Sequence, residues 1–449
     1  MRTSARWIQE WDPEDEGFWE RTGKKIANRN LVFSIISEHV GFSIWSLWSV
    51  MVLFMGKDYH VDPAGKFFLV ALPTLVGAFV RIPYTVAVAR FGGRNWTVVS
   101  AALLLLPALA AAYVMHPGTS YSTFMLVAAL TGLGGGNFAS SMTNINAFYP
   151  SRRKGWALGL NAGGGNIGVP VIQLAALGVI TWAGASHPRL VLGIYIPLIV
   201  IAATCAALFM DNLAPMKNDT NSLSAIVWEK HTWLLSVLYI GTFGSFIGFS
   251  FAFGLVLQNQ FGRTPLQAAQ LTFVGPLLGS LIRPVGGWLA DRWGGARITL
   301  WNFLAMAGAA GVVTYASSIK SLPIFLTGFI GLFVFAGLGN GSTYKMIPGI
   351  FEAKAQDRIA GGDSAEAATA WSRKMSGAAV GVIGAVGALG GLFINLAFRQ
   401  SFLTAKTGTA AFASFLAAYA LCFALTWAVY LRRPSAVEKT APAPTLAQT

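Results

Sequence analysis

The sequence predicts an all-α membrane protein of about twelve spanning helices, arranged as two pseudo-symmetric six-helix halves. Three observations predict it. Of 449 residues, 54% are hydrophobic and only 11% charged, a composition far outside that of soluble globular chains. The apolar residues gather into stretches long enough to cross a bilayer, which takes about 20 residues each. Finally, Gly77-Ala78-Phe79-Val80-Arg81 followed by Arg90-Phe91-Gly92-Gly93 returns as Gly279-Ser280-Leu281-Ile282-Arg283 followed by Arg292-Trp293-Gly294-Gly295, every matched position displaced by 202 residues.

Residues 1–29 are polar, aromatic and acidic (Trp11-Asp12-Pro13-Glu14-Asp15) and lack the charged start and short apolar run of a cleavable signal peptide. They are expected to form a cytoplasmic N-terminal segment. The first half is expected over 30–211, with spans near 30–55, 67–89, 95–115, 121–149, 155–182 and 189–211. A cytoplasmic linker follows at 212–230. The second half, 231–431, carries spans near 231–258, 266–290, 297–317, 322–350, 373–397 and 409–431, and 432–449 is expected to be a cytoplasmic tail.

A formal net charge of +14 raises the question of nucleic acid, and the placement of the charges answers it. With both termini cytoplasmic, most Lys and Arg fall on cytoplasmic segments, which satisfies the positive-inside rule of an inner or plasma membrane. The cluster Ser151-Arg152-Arg153-Lys154 is then a topology signal between the fourth and fifth spans. The two cysteines, Cys205 and Cys422, lie in different spans and read as small apolar residues. They encode neither a disulfide nor a metal framework, and no cofactor is expected.

Arg81 and Arg283 fall inside apolar spans. A charge at the bilayer centre costs roughly 2.5–3.5 kcal/mol on insertion scales, so an intramembrane Arg faces a cavity or a substrate path. Two of them, related by a repeat, suggest one anion site built by both halves of a transporter. A second internal match, Gly132-Leu133-Gly134-Gly135-Gly136 with Gly337-Leu338-Gly339-Asn340-Gly341, displaced by 205 residues, supports duplication of a six-helix unit. Parallel halves with the site between them at mid-depth are the major facilitator arrangement. The loop Gly287-Trp288-Leu289-Ala290-Asp291-Arg292-Trp293-Gly294-Gly295 resembles that superfamily's signature between its second and third helices. Asp291 and Arg292 are expected to clip helix ends at the cytoplasmic gate; the first-half copy keeps Arg90 but has no acid beside it.

Glycines recur at matching places in the two halves: Gly163, Gly164, Gly165 and Gly168 in the fifth span, and Gly381, Gly384, Gly387, Gly390 and Gly391 in the eleventh. Small residues every three or four positions let helices pack closely in lipid, and they leave backbone groups able to approach a small substrate. Of Asn137, Asn144, Asn146, Asn161 and Asn166, most read as interhelical hydrogen-bonding residues, worth about 0.6 kcal/mol each on average. Asn166, inside the glycine run, is the one expected to donate to a bound oxygen.

Arg81-Ile82-Pro83-Tyr84, Asn137-Phe138-Ala139-Ser140-Ser141-Met142, Leu158-Gly159-Leu160-Asn161, Gly165-Asn166-Ile167-Gly168, Thr242-Phe243-Gly244-Ser245-Phe246-Ile247-Gly248-Phe249 and Gly337-Leu338-Gly339 together resemble the nitrate/nitrite porter family, the NarK-type branch of the major facilitator superfamily. The resemblance runs from about Trp11 to about Tyr430. It implies that Arg81 and Arg283 clamp a nitrate or nitrite ion, that Asn166 and Tyr239 donate hydrogen bonds to it, and that Phe138 and Phe243 sandwich it. The planar, forked guanidinium suits a planar oxyanion better than an ammonium does.

Ser37-Glu38-His39-Val40 lies in the first span, and Glu38 is the one acidic residue expected within a hydrophobic span. Burial and a nearby guanidinium pull the ionisation of a carboxyl in opposite directions, and His is the usual relay partner. The pair Glu38/His39 is therefore read as coupling protons to anion entry, which resembles the proton-symporting branch of the family rather than its exchangers. The alternative is that Glu38 only neutralises an arginine and His39 only packs. Lys345, in the tenth span, is read as snorkelling to the interface in preference to a coupling role.

Importing a monovalent anion against an inside-negative potential costs about 2.3 kcal/mol per 100 mV. Symport with protons removes or reverses that cost, and one-for-one nitrate/nitrite exchange ignores it; the sequence leaves this choice open. A phosphate or organic-phosphate exchanger, whose paired arginines lie by resemblance on the first and seventh helices, fits less well. A non-transporting nitrate sensor on the same fold and an intramembrane enzyme are weaker readings again, since a single Glu-His supplies no nucleophile, metal set or carboxylate pair. A monomer is expected to suffice.

Overall fold

The computed structural model describes residues 6–214 and 220–432, apart from the side chains of Ser151 and of 220–223. The expected tail from 433 onward and part of the expected linker, 215–219, lie outside the described residues. Among the described residues, eleven helical segments are long and apolar enough to cross a membrane: α1 (Glu16–Phe54), α2 (Pro63–Phe91), α3 (Gly93–Val114), α5 (Arg152–Ala183), α6 (Arg189–Phe209), α7 (Lys230–Phe261), α8 (Pro265–Trp293), α9 (Gly295–Ser318), α10 (Leu322–Ala360), α11 (Ala365–Ala405) and α12 (Thr409–Leu431). The place of α4 is filled by a helix pair, Tyr121–Thr131 and Leu133–Phe148. Its second member reads LGGGNFASSMTNINAF, and that Gly, Ser and Asn content makes it too polar to count with the others as a membrane helix on hydropathy alone.

Several of these helices are interrupted along their length. In α1 the Ser46 hydroxyl donates to the Phe42 and Ser43 carbonyls, a back-bond that loosens a helix, and the helix breaks there. In α5 Pro170 has no N–H for the Asn166 carbonyl and crowds it; the break falls between Asn166 and Gly168. In α7 a π turn over Ile240–Gly244 interrupts the α-helix, a feature that recurs at functional sites.

The start of the chain is docked on the bundle. Trp7–Ile8 pairs in parallel with Asn212–Leu213. Trp11 packs edge-on against Phe148, and the buried Trp19 lies against Tyr149. The end carrying these contacts is called the N-face here. Towards the opposite face the halves meet through aromatic side chains, Trp45 on Phe251 and Phe67 stacked on Phe398 and Phe402, and through Gln173 donating to the Ser250 carbonyl.

Candidate functional site

The repeat of 202 residues puts Arg81 and Arg283 at matching places past the midpoints of α2 and α8, where they are buried at 1% and 6% exposure. Glycine backbone surrounds Arg81. Its Nε donates to the Gly135 carbonyl of α4 at 3.2 Å and its Nη1 to the Gly384 carbonyl of α11 at 2.7 Å, so one side chain touches both halves. Its guanidinium lies 5.1 Å from the Trp45 ring, 4.8 Å from Phe138 and 5.1 Å from Phe243, where the ring faces stabilise the cation. Arg283 Nη2 donates to the Tyr239 hydroxyl at 3.3 Å, and its guanidinium is 5.6 Å from the Tyr344 ring. Arg81 Nη2 and Arg283 Nη1 have no protein partner. Donors left over on two buried cations are the chemistry an anion needs.

Aromatic rings form the walls. Tyr239, the last residue before the π turn, and Phe243 within it stack at 5.1 Å and 8°, and Phe138 lies 6.1 Å from Phe243 across the interface between the halves. Phe138 and Phe243 are thus together beside Arg81. Asn166 is fully buried at the break in α5, with both amide atoms free of protein hydrogen bonds.

The glycines differ from one another. A Cβ on Gly165 would strike the Glu38 carboxylate, on Gly168 the His39 carbonyl, and on Gly164 Ile35, so these three let α5 lie against α1. A Cβ on Gly387 would strike Tyr239, while on Gly384 it would sit 3.7 Å from Arg81 Nη1. A Cβ on Gly381 would be 3.8 Å from Thr85, and one on Gly163 would meet nothing within 4 Å.

Glu38 is fully buried. Its Oε2 accepts from Asn161 Nδ2 at 2.6 Å, and that amide nitrogen also lies 2.6 Å from Ser141 Oγ. Both arginines are within electrostatic reach of it. His39 is turned elsewhere, its Nδ1 3.3 Å from the Gly164 carbonyl, because consecutive helix residues point about 100° apart. The structure gives the two expected relay partners separate bonds and none to each other among those described.

At the N-face Asp291 pairs with Lys345 of its own half at 2.7 Å. The Lys345 side chain, expected to snorkel, is half-exposed and makes this ion pair. Arg292 lies over Trp288 and Trp293, and Arg90 over Phe91. Asp291 therefore ties α8 to α10, while Arg90 and Arg292 rest on rings of their own helix ends. Trp45 and Tyr344 are the site residues that sequence reasoning missed. The only signal for Tyr344 was its place after the tenth-span glycine motif.

A bundle of membrane-crossing helices packed around a buried cationic centre has the architecture of a transporter of the major facilitator fold. The Major Facilitator Superfamily model matches residues 34–362. The nitrate/nitrite transporter NarU of Salmonella typhimurium is 39% identical over 447 residues, 95% of this chain and 96% of its own length. NarU of Escherichia coli is 38% identical over 453 residues, covering 96% and 98%. The probable nitrate/nitrite antiporter NarK2 of Thermus thermophilus is 32% identical over 467 residues, covering 96% and 99%. Among solved structures, the partially occluded inward-open xylose transporter XylE from E. coli matches with a TM-score of 0.66 at 13% identity, over 90% of this chain and 98% of that one, a likeness of fold alone. The chain belongs to the nitrate/nitrite porter (NarK-type) family of the Major Facilitator Superfamily.

Proposed function

We propose that this protein carries nitrate, and nitrite as an alternative cargo, across a cytoplasmic membrane by alternating access. One anion lies between Arg81 and Arg283, flanked by Phe138 and Phe243 and hydrogen-bonded by Tyr239 and Asn166. The relatives' names support the substrate. The leftover Arg81 Nη2 and Arg283 Nη1 donors support the clamp. The N-face is cytoplasmic on this reading, which follows the distribution of Lys and Arg, and a single chain holds every part of the site.

The coupling mode we propose is proton symport through Glu38, and one observation carries it: a fully buried carboxyl with one oxygen lacking a protein partner sits within electrostatic reach of both clamp arginines. An anion entering the clamp competes with the Glu38 carboxylate for the same positive charge. Loading with nitrate therefore favours the protonated carboxyl, and the two ions travel together. His39 acts in this reading by packing α1 on α5. The second reading is electroneutral nitrate/nitrite exchange, favoured by the antiporter name of the Thermus relative.

Labelled nitrate uptake into proteoliposomes under an imposed pH gradient, with and without internal nitrite, separates the two. Symport predicts uptake that follows the gradient, needs no internal nitrite, and falls at least tenfold in Glu38→Gln. Uptake that requires internal nitrite and survives Glu38→Gln establishes the exchanger.

A further inference from the structure

Glu38 does not stand alone on the inner face of α1. Asn30, Ser34, Ser37 and Glu38 follow the i, i+4, i+7, i+8 spacing that lines one side of a helix, and all four are buried. α4 answers with Asn137, Ser140, Ser141 and Asn144, at i, i+3, i+4 and i+7, again all buried. Between them α3 inserts Thr97 and Ser100. The three polar stripes enclose a cavity of about 10 Å³, room for about one water.

Several polar atoms of the residues lining that cavity have no protein hydrogen bond: Glu38 Oε1, Ser37 Oγ and both amide atoms of Asn137. A buried water needs two to four polar partners, and these supply them. From there the polar stripes continue towards the N-face. Ser34 Oγ and Ser141 Oγ are 2.9 Å apart. One turn further, both amide atoms of Asn144 lack protein partners, and Asn30 Nδ2 donates at 2.9 Å to Asp211 Oδ2, which also pairs with the half-exposed Arg29. Asp211 is the first acidic group met along this line.

We infer that this column inside the N-terminal half is a water-bridged proton path between Glu38 and the N-face, separate from the anion path that runs between the halves. The inference rests on the reading of Glu38 as the proton site. The proton leaves Glu38 Oε1 for the bridging water, the water releases another towards the Ser34/Ser141 hydroxyls and the N-face, and the net change is one proton moved from the carboxyl to bulk water. The groups that face Glu38 are, within electrostatic reach on the clamp side, the cations Arg81 and Arg283 and the phenol of Tyr344, then Ser141 and Asn161 from α4 and α5, and Thr97 and Ser100 across the cavity. The position matching Glu38 in the second half, 202 residues on, is Ile240, so the path belongs to one half only.

The test fills the cavity without touching the clamp. Ser100→Leu and its conservative partner Ser100→Thr are reconstituted beside the parent and Glu38→Gln. Two rates are read in each: uptake driven by a pH gradient, and counterflow of labelled external nitrate for internal nitrate, which needs no net proton movement. The path predicts that Ser100→Leu loses driven uptake at least tenfold, keeps counterflow within about twofold, and is rescued by Ser100→Thr. Driven uptake at the parental rate in Ser100→Leu overturns the path, and so does a parallel loss of both rates in Ser100→Leu and Ser100→Thr. Glu38→Gln distinguishes the levels: if it retains driven uptake, the coupling reading itself has failed; if it loses driven uptake while Ser100→Leu does not, only the path has failed.

Discussion

Arg81 satisfies two of its donors on the carbonyls of Gly135 and Gly384, one in each half, and still has Nη2 to offer. A Cβ on Gly135 would strike Gly77 and Trp45, whereas one on Gly384 would rest in ordinary contact with Arg81 Nη1 and Phe138. Arg81 and Arg283 were legible in the sequence because a charge in an apolar run stands out and the repeat doubled the signal. Tyr344 was not, since a Tyr in a span looks like any interfacial aromatic residue. Its hydroxyl is buried and without a protein partner, and its ring lies beside Arg283. Tyr344→Phe keeps the ring and removes one hydrogen-bond donor, worth about 0.5–1.5 kcal/mol. The expected outcome in transport assays is a KM for nitrate raised roughly two- to tenfold with kcat little changed. An unchanged KM would put the hydroxyl out of the anion's reach. Glu38 was legible for the same reason as the arginines, whereas its partners Asn161 and Ser141 come from helices more than a hundred residues away in the chain, and no pattern within one span reveals them.

At the scale of elements, the glycine runs in α5 and α11 were visible but their division of labour was not, because periodicity does not say which glycine faces which neighbour. Gly165 and Gly168 hold α5 against α1, and Gly387 makes room for Tyr239, whereas Gly163 borders open space. Gly165→Ala is expected to force α1 and α5 apart at Glu38, with an overpacking cost of about 1–3 kcal/mol and a sharp loss of uptake. Gly163→Ala is expected to leave thermal stability in detergent and uptake near those of the parent. Equal behaviour of the two variants would contradict the packing described. The π turn of α7 was equally hidden: Tyr239-Ile240-Gly241-Thr242-Phe243 reads as ordinary helix, yet the extra residue in the turn brings Tyr239 and Phe243 to the clamp as stacked rings.

Across the whole molecule, hydropathy together with two registers of internal similarity pointed to the fold. What hydropathy could not show is how far helices run beyond the bilayer. α10 and α11, at 39 and 41 residues, are about 60 Å long, twice the thickness of the hydrocarbon core. The polar end of α10 carries Lys345 and Lys354, which bind Asp291 and Glu229 at the N-face. The halves touch at Arg81 and Gly384 and again towards the opposite face at Trp45–Phe251 and Phe67–Phe402. On the proposed clamp, an anion would complete a contact between halves that two like charges otherwise weaken, and binding would go with closure. Nitrate titration calorimetry on the purified parent, Arg81→Lys, Arg283→Lys and the double variant tests this most directly. The predicted result is one nitrate per chain, affinity at least about tenfold weaker in either single variant, and a double variant little worse than the singles because both arginines serve one site. Parental affinity in either single variant, or two nitrates bound per chain, would contradict the clamp.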